Sequence, residues 1–181
     1  AEQRSSGRPY YLQYVLKGQG TETWSPKFTY YGFRYVQVEG AAPDTAGTSM
    51  PEILSLKMLH TRNSSPATGE FKTSFELFNR IHSLILWAIR SNIQSVSTDC
   101  PHREKLGWLE QTYLMGGGVH HNFDIYNLYN KVVDDMTDAQ TSEGLVPGIA
   151  PEYTVFDDVF RDSPEWGSAS VIMPWQIYRW Y

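Results

Sequence analysis

The residues best suited to chemistry lie together between positions 99 and 108. Two acids, Asp99 and Glu104, stand there with Arg103 and Trp108, beside a His and a Lys. Glycoside hydrolysis needs one carboxyl group to protonate the leaving oxygen and a second to activate water or attack. Arg and Asp suit ring hydroxyls, and an aromatic face covers a sugar ring. A sugar-cleaving site is therefore one hypothesis, and a solvated polar turn between two helices is the other.

Other reactive side chains favour structural roles. Adjacent residues on a helix point to different sides, so His120 and His121 with Asp124 do not predict a metal site. The lone Cys100 excludes an internal disulfide and a multi-cysteine metal site. The glycines at 116–118 lack the Lys-Ser/Thr of a phosphate loop and indicate flexible backbone or close helix packing. No cofactor and no metal are expected.

Composition limits the partners. There are 15 Lys and Arg against 20 Asp and Glu, a net charge of -5, so nucleic acid is disfavoured. The longest apolar stretch, 84–89, is far shorter than the ~20 residues of a membrane span. Aromatics reach 14%, with 6 Trp and 12 Tyr, which favours a planar ligand such as carbohydrate as well as a core. The compartment stays open, with a periplasmic or secreted location favoured over a cytoplasmic one.

The elements that must position this loop change in character near residue 71. Before it, three stretches have the composition of strands. Two of them, 10–16 and 33–38, alternate as half-buried strands do, and the third is 53–60. They predict part of a β-sheet module.

After residue 71 the apolar residues recur at spacings of three and four positions, which predicts helices. The first runs from Thr73, where a capping box opens it, to about Ile93. Three more are predicted at 108–116, 124–139 and 168–181, the last kinked at Pro174. Because four helices rarely close a core alone and the last pattern reaches Tyr181, we expect a fragment.

Three segments resemble one known family. The run from Asp99 to Trp108, D-C-P-H-R-E-K-L-G-W, resembles the signature of the inverting α-L-rhamnosidases of glycoside hydrolase family 78. Residues 24–35 resemble the strand that closes that family's β-sandwich module, and 164–169 with 174–175 resemble its W-G-D-A and P-W helix. The resemblance implies a mixed, multi-domain fragment. Residues 1–70 are then the end of a β-sandwich, and 71–181 are the first part of an (α/α)6 barrel that continues beyond Tyr181.

The resemblance also assigns roles. Glu104 corresponds to the family's general acid. Asp99 and Arg103 are then expected to hold rhamnose hydroxyls, while Trp108 and Trp166 form walls of the sugar pocket.

Several positions leave alternatives open. Glu110 or Gln111 takes the place of an Asp that follows the family's signature, and Ser168 stands where another Asp is usual. Asp158 belongs either to a charged loop face or to the sugar pocket. The catalytic base of the family is expected after Tyr181.

These assignments predict an α-L-rhamnosidase that releases terminal L-rhamnose from an oligosaccharide, polysaccharide or glycoside. Its other partner is the remainder of the parent chain, without which we expect the 181 residues to be inactive. The alternative is a non-catalytic carbohydrate-binding or scaffold module that retains a degenerate sugar pocket, which the departures at Gln111 and Ser168 favour.

Overall fold

Helices make up most of the regular structure of this chain. The structure is a computed structural model, and it describes residues 4–5, 8–9, 11–43, 47, 49–157 and 160–181. Its elements, in chain order, are β1 (Arg4–Ser5), β2 (Arg8–Pro9), β3 (Ala42–Pro43), β4 (Glu52–Ile53), α1 (Glu76–Asn92), α2 (Leu109–His120), α3 (Tyr126–Asp138), α4 (Pro164–Gly167) and α5 (Ala169–Trp180). Among the described residues, none of these helices has the length and apolar character that crossing a membrane requires.

Among the N-terminal residues that the structure describes, the strands form only short pairs. β1 pairs antiparallel with β2, and β3 pairs parallel with β4. The predicted strands at 10–16 and 33–38 are wrong for the described residues, which form no strand there, and of 53–60 only Ile53 joins a strand. A strand needs a neighbour for its N–H and C=O groups. The structure instead leaves these segments exposed, with Tyr35 at 90% and Val15 at 78% exposure.

α1 begins later than the capping box predicts. Thr73 does not cap the helix, which starts at Glu76 without a side-chain cap. The Thr73 hydroxyl instead accepts the N–H of Phe75 at 3.2 Å, while the N–H of Thr73 donates to Asn79 Oδ1 at 2.8 Å. These bonds use the polar groups in a turn before the helix, since Thr competes with helical pairing in this way.

One face of α1 is apolar and open to water. The helix itself buries Ile89, and Ile93 just beyond its end is also buried. Six large apolar residues of the helix are exposed: Leu77, Phe78, Ile81, Leu84, Ile85 and Trp87. Contiguous exposed apolar surface of this kind marks a face suited to further packing.

The glycine run at 116–118 lies inside α2, which continues to His120, so the helix end predicted at 116 is wrong. The expected close packing applies at Gly116, where an added Cβ would lie 3.1 Å from both a Trp180 ring carbon and the Tyr129 hydroxyl. At Gly117 and Gly118 no described residue lies within 4 Å of that position. Only the first glycine of the run is therefore required by a neighbour.

The core lies where α2 and α3 pack against α5. Tyr129 of α3 is 1% exposed and donates its hydroxyl hydrogen to the carbonyl of Thr112 in α2 at 2.7 Å. Met173 of α5 is fully buried in the same cluster, and the helix continues past the exposed Pro174. This packing holds the first residues of α2, and with them the polar loop that precedes it.

Candidate active site

The loop between α1 and α2 is closed by Asp99. The N–H of Asp99 donates to the carbonyl of Leu106 at 3.0 Å, and the N–H of Leu106 donates to Asp99 Oδ1 at 2.9 Å. This reciprocal pair brings the two sides of the loop together, as Asp side chains often do in turns. One carboxylate oxygen of Asp99 is thus committed to loop structure.

The acid and the guanidinium of the loop lie at its exposed surface. Arg103 and Glu104 are both exposed, whereas Cys100 is half-buried. The N–H of Glu104 donates to the Cys100 sulfur at 3.2 Å. Cys100 therefore supports the backbone at Glu104, in agreement with the structural role expected for it.

Glu104 and Trp108 meet across the loop. The indole Nε1–H of Trp108 donates to Glu104 Oε2 at 3.4 Å. The Trp108 ring stacks on Phe156, with centroids 5.2 Å apart and planes at 28°, and lies 5.8 Å from the Trp166 ring at 55°. We call Trp108, Phe156 and Trp166 the aromatic cluster. The structure thus joins three of the predicted site residues, Glu104, Trp108 and Trp166, and adds Phe156.

Phe156 is a site residue that sequence reasoning missed. It lies in the long connection between α3 and α4, where the only available signal was an aromatic residue near the acidic positions 157 and 158. Asp158, predicted from that same connection, is outside the described residues.

Two glycines let the backbone hold Trp108. Leu109 donates its N–H to the carbonyl of Gly148 at 3.0 Å, and Ala150 donates to the carbonyl of Gly107 at 3.3 Å. A Cβ at Gly148 would lie 3.2 Å from a Trp108 ring carbon, and one at Gly107 would lie 2.9 Å from the Ala150 carbonyl oxygen. The two chain segments approach so closely because neither residue has a side chain.

An ion pair spans the segment that carries Phe156. Arg161 Nε donates to Glu152 Oε1 at 2.9 Å, and Nη2 donates to Oε2 at 3.1 Å. The hydrogen bond with Glu152 raises the pKa of Arg161 above its already high ordinary value. This two-pronged geometry fixes direction as well as distance, so it holds the two ends of the segment in register.

The N-terminal part of the chain reaches the same loop. Gly32 donates its N–H to the carbonyl of Pro101 at 3.0 Å, and Lys105 Nζ donates to the carbonyl of Tyr30 at 2.6 Å. Burial raises the pKa of Tyr30 and lowers the pKa of Lys105, because desolvation penalises the charged form of each. The loop therefore lies between the N-terminal segment and the helices.

Two further predicted positions, Glu110 and Ser168, lie in or next to helices near the loop. Glu110 is half-buried in the first turn of α2. Ser168 donates its hydroxyl to the carbonyl of Pro164 at 2.6 Å, which ties the ends of α4 together. Among the residues the structure describes, no group of three or more His, Cys, Asp or Glu side chains is arranged to hold a metal ion.

Comparison with known proteins identifies the family. The bacterial alpha-L-rhamnosidase 6 hairpin glycosidase domain matches residues 66–181, and the bacterial alpha-L-rhamnosidase concanavalin-like domain matches residues 4–59. The chain belongs to the bacterial alpha-L-rhamnosidase family. The resemblance seen in the loop signature is thereby confirmed.

Curated members of this rhamnosidase family match nearly the whole chain. An alpha-L-rhamnosidase of Formosa agariphila is 33% identical over 187 residues, which cover 98% of this chain and 19% of that protein. One of Streptomyces avermitilis is 37% identical over 169 residues, covering 93% of this chain and 16% of that protein. The rhamnosidase chain thus spans less than a fifth of the length of these relatives.

Solved rhamnosidase structures share the fold. The Streptomyces avermitilis alpha-L-rhamnosidase complexed with L-rhamnose superposes with a TM-score of 0.71 at 35% identity, covering 91% of this chain and 15% of that one. The native Aspergillus terreus enzyme gives a TM-score of 0.71 at 29% identity, covering 91% and 18%.

Proposed function

We propose that the protein containing this chain is an inverting α-L-rhamnosidase that releases terminal L-rhamnose from rhamnosides, with Glu104 as its general acid. The observation that carries the proposal is the contact between Glu104 Oε2 and Trp108 Nε1, at 3.4 Å. It places an exposed carboxyl group at the edge of an aromatic cluster, an arrangement suited to a sugar ring and its glycosidic oxygen. The names of the relatives support the same activity.

The proposed reaction uses two groups on opposite sides of the sugar. Protonated Glu104 donates its proton to the glycosidic oxygen as the bond to the anomeric carbon breaks. A base activates a water that attacks the opposite face, so the configuration inverts. We place this base outside residues 1–181 and therefore expect these residues to be inactive alone.

Substrate binding is proposed for the residues around the acid. The aromatic cluster supplies an apolar surface for the less polar face of L-rhamnose, and the exposed Arg103 is proposed to bind its hydroxyls. Asp99 is expected to contribute the carboxylate oxygen that does not accept the N–H of Leu106. Glu110 and Asp158 remain proposed contacts. The substrate class is a rhamnose-containing oligosaccharide, polysaccharide or glycoside.

The chain is proposed to contribute to two domains. Residues 1–70 belong to the end of a β-sandwich module, and residues 71–181 form the first part of an (α/α)6 barrel. The two family matches, 4–59 and 66–181, support a division in this region. The exposed apolar face of α1 supports further helices packing on it.

The test compares Glu104→Gln with wild type in the full-length protein, with Glu70→Gln as the control at another exposed Glu. Loss of a general acid costs about 100- to 10,000-fold in turnover on a natural rhamnoside. The loss should be much smaller on 2,4-dinitrophenyl rhamnoside, whose leaving group needs no proton. NMR of the first-formed sugar should show the β anomer. Full activity of Glu104→Gln on the natural rhamnoside, or an initial α anomer, contradicts the proposal.

A non-catalytic sugar-binding module is the second candidate, favoured by Ser168 and Gln111 at positions where the family usually has Asp. The hydroxyl of Ser168 is used within α4, where it donates to the carbonyl of Pro164. Calorimetry with L-rhamnose separates the two functions. Binding by the full-length protein without hydrolysis of any rhamnoside would establish the binding module.

A further inference from the structure

We propose that Lys105 positions Glu104 by anchoring the catalytic loop on Tyr30 and Tyr31, so that the N-terminal segment completes the active site. This inference rests on the proposed function, because the contacts of Lys105 affect catalysis in this way only if Glu104 is the general acid. Lys105 itself touches no reacting atom in this scheme and is a positioning residue.

The side chain of Lys105 is held by a carbonyl and two rings. Its ammonium donates to the Tyr30 carbonyl at 2.6 Å and lies 4.7 Å from the Tyr30 ring centroid and 4.1 Å from that of Tyr31. Both ring distances are within the range of cation–π attraction, which strengthens when the cation is partly desolvated. The anchor therefore needs a cation at position 105 and an aromatic residue at position 31.

The backbone of Lys105 is held as well. Its φ is +58°, in the left-handed region that side chains other than Gly seldom adopt. Its carbonyl accepts the hydroxyl of Tyr153 at 2.9 Å. A left-handed residue other than Gly is strained and persists where surrounding contacts determine it. The side-chain anchor and the Tyr153 bond are two such contacts.

This geometry acts directly on the acid, because Glu104 is the preceding residue. The next residue, Leu106, donates its N–H to Asp99 Oδ1, so the chain after Lys105 is also fixed. Release of Lys105 would let its φ relax and would rotate the peptide that joins it to Glu104. The Glu104 carboxyl would then leave the edge of Trp108.

The anchor joins two parts of the chain that match different domains of the family. Tyr30 and Tyr31 lie within the concanavalin-like match, 4–59, and Lys105 lies within the glycosidase match, 66–181. The hydrogen bond from Gly32 to the Pro101 carbonyl, 3.0 Å long, is a second link between the same two regions. The N-terminal segment is thus part of the support of the catalytic loop.

The test measures kcat and KM for Lys105→Met and Lys105→Arg in the full-length protein, with Lys131→Met as the matched control. Lys131 is half-exposed and pairs with Asp135 one helical turn away, an interaction of small energy. Two substrates are compared, a natural rhamnoside with a poor leaving group and 2,4-dinitrophenyl α-L-rhamnoside. Only the first needs a proton from Glu104.

We expect Lys105→Met to lower kcat on the natural rhamnoside by about 100-fold, the cost of misplacing a catalytic group by about 1 Å. On the dinitrophenyl substrate the loss should stay below about 5-fold, with KM little changed on both. Lys105→Arg, which keeps the cation, should recover most of the activity. If Lys105→Met does not fold, Tyr31→Leu removes one aromatic face and should show the same selectivity between substrates.

The outcomes separate this inference from the function on which it rests. Equal losses on both substrates, or no loss on either, would overturn the positioning role of Lys105. If Glu104→Gln discriminates between the substrates and Lys105→Met does not, only the inference about Lys105 fails. If Glu104→Gln does not discriminate, the proposed general acid fails, and the inference fails with it.

Discussion

Adding one methyl group at Gly107 should disturb both the stability and the site of this protein. Gly107 precedes Trp108 and lies against the segment that contains Ala150. Its φ is outside the left-handed region, so alanine is compatible with the backbone and space alone decides the outcome. A Cβ there would lie 2.9 Å from the Ala150 carbonyl oxygen and 3.1 Å from a Val96 methyl.

The magnitude follows from these contacts. A carbonyl oxygen of the backbone cannot swing aside as a flexible side chain does, so the two segments must separate, and such overpacking costs about 1–3 kcal/mol. The bond from the Ala150 N–H to the Gly107 carbonyl is already 3.3 Å long, and its loss adds about 0.5–1.5 kcal/mol. We therefore expect Gly107→Ala to destabilise the fold by about 2–4 kcal/mol.

Activity should fall with stability, because Trp108 moves with Gly107. A displacement of about 1 Å in a positioned catalytic group costs ~100-fold in rate. The assay is thermal unfolding of the full-length protein, together with kcat/KM on a natural rhamnoside measured well below the melting temperature.

Gly117→Ala is the control for this prediction. Gly117 lies inside α2, and no residue that the structure describes comes within 4 Å of an added Cβ. Alanine there should therefore stabilise the helix by about 1 kcal/mol and leave activity unchanged. The reasoning would be refuted if Gly107→Ala were as stable and active as wild type. A loss of stability in Gly117→Ala would equally contradict the helix environment described here.

Two further predictions concern pH. His120 stacks on the Trp180 ring with centroids 4.5 Å apart, and burial lowers the pKa of His120 below 6.5. The folded state therefore favours the neutral imidazole. Stability from this group is present above pH 6.5 and is lost as the pH falls below that value. The melting temperature of His120→Phe should therefore fall less than that of wild type between about pH 7 and pH 5, and an identical fall in both would contradict this. Burial raises the pKa of Tyr129 above 10.0, so stability should decline as the pH rises above 10, where only the unfolded state ionises. Tyr129→Phe should cost about 1–2 kcal/mol at neutral pH through the lost bond to Thr112 and should lose less stability above pH 10, as measured by denaturation at pH 8 and about pH 10.5.

Local sequence was sufficient for α1, α3 and α5. It predicted helices over 73–93, 124–139 and 168–181, where the structure has 76–92, 126–138 and 169–180. It also pointed to the loop that contains Glu104 and Trp108. The run from Asp99 to Trp108 is continuous in the chain, so its residue types could be recognised from the sequence alone. Such features can be recognised without knowledge of distant contacts.

Predictions from local sequence were wrong where contacts with distant residues determine the secondary structure. The alternation at 33–38 is typical of a strand, yet no strand forms among these described residues, because strand structure requires a pairing partner from elsewhere. The glycines at 116–118 predicted a helix end, but α2 continues to His120, where α5 packs against it and Tyr129 of α3 bonds to Thr112. In both cases the tertiary environment overrides local propensity.

The arrangement of the candidate site is also a tertiary property. Lys105 reaches Tyr30, 75 residues earlier in the chain, and Trp108 stacks on Phe156 from the connection before α4. No periodicity or motif encodes such pairs, because their distances depend on how the helices pack and on which residues lack a side chain. Sequence alone pointed to the carboxyl group and the aromatic residue of the loop, whereas packing determined that Glu104 and Trp108 face one another with the N-terminal segment behind them.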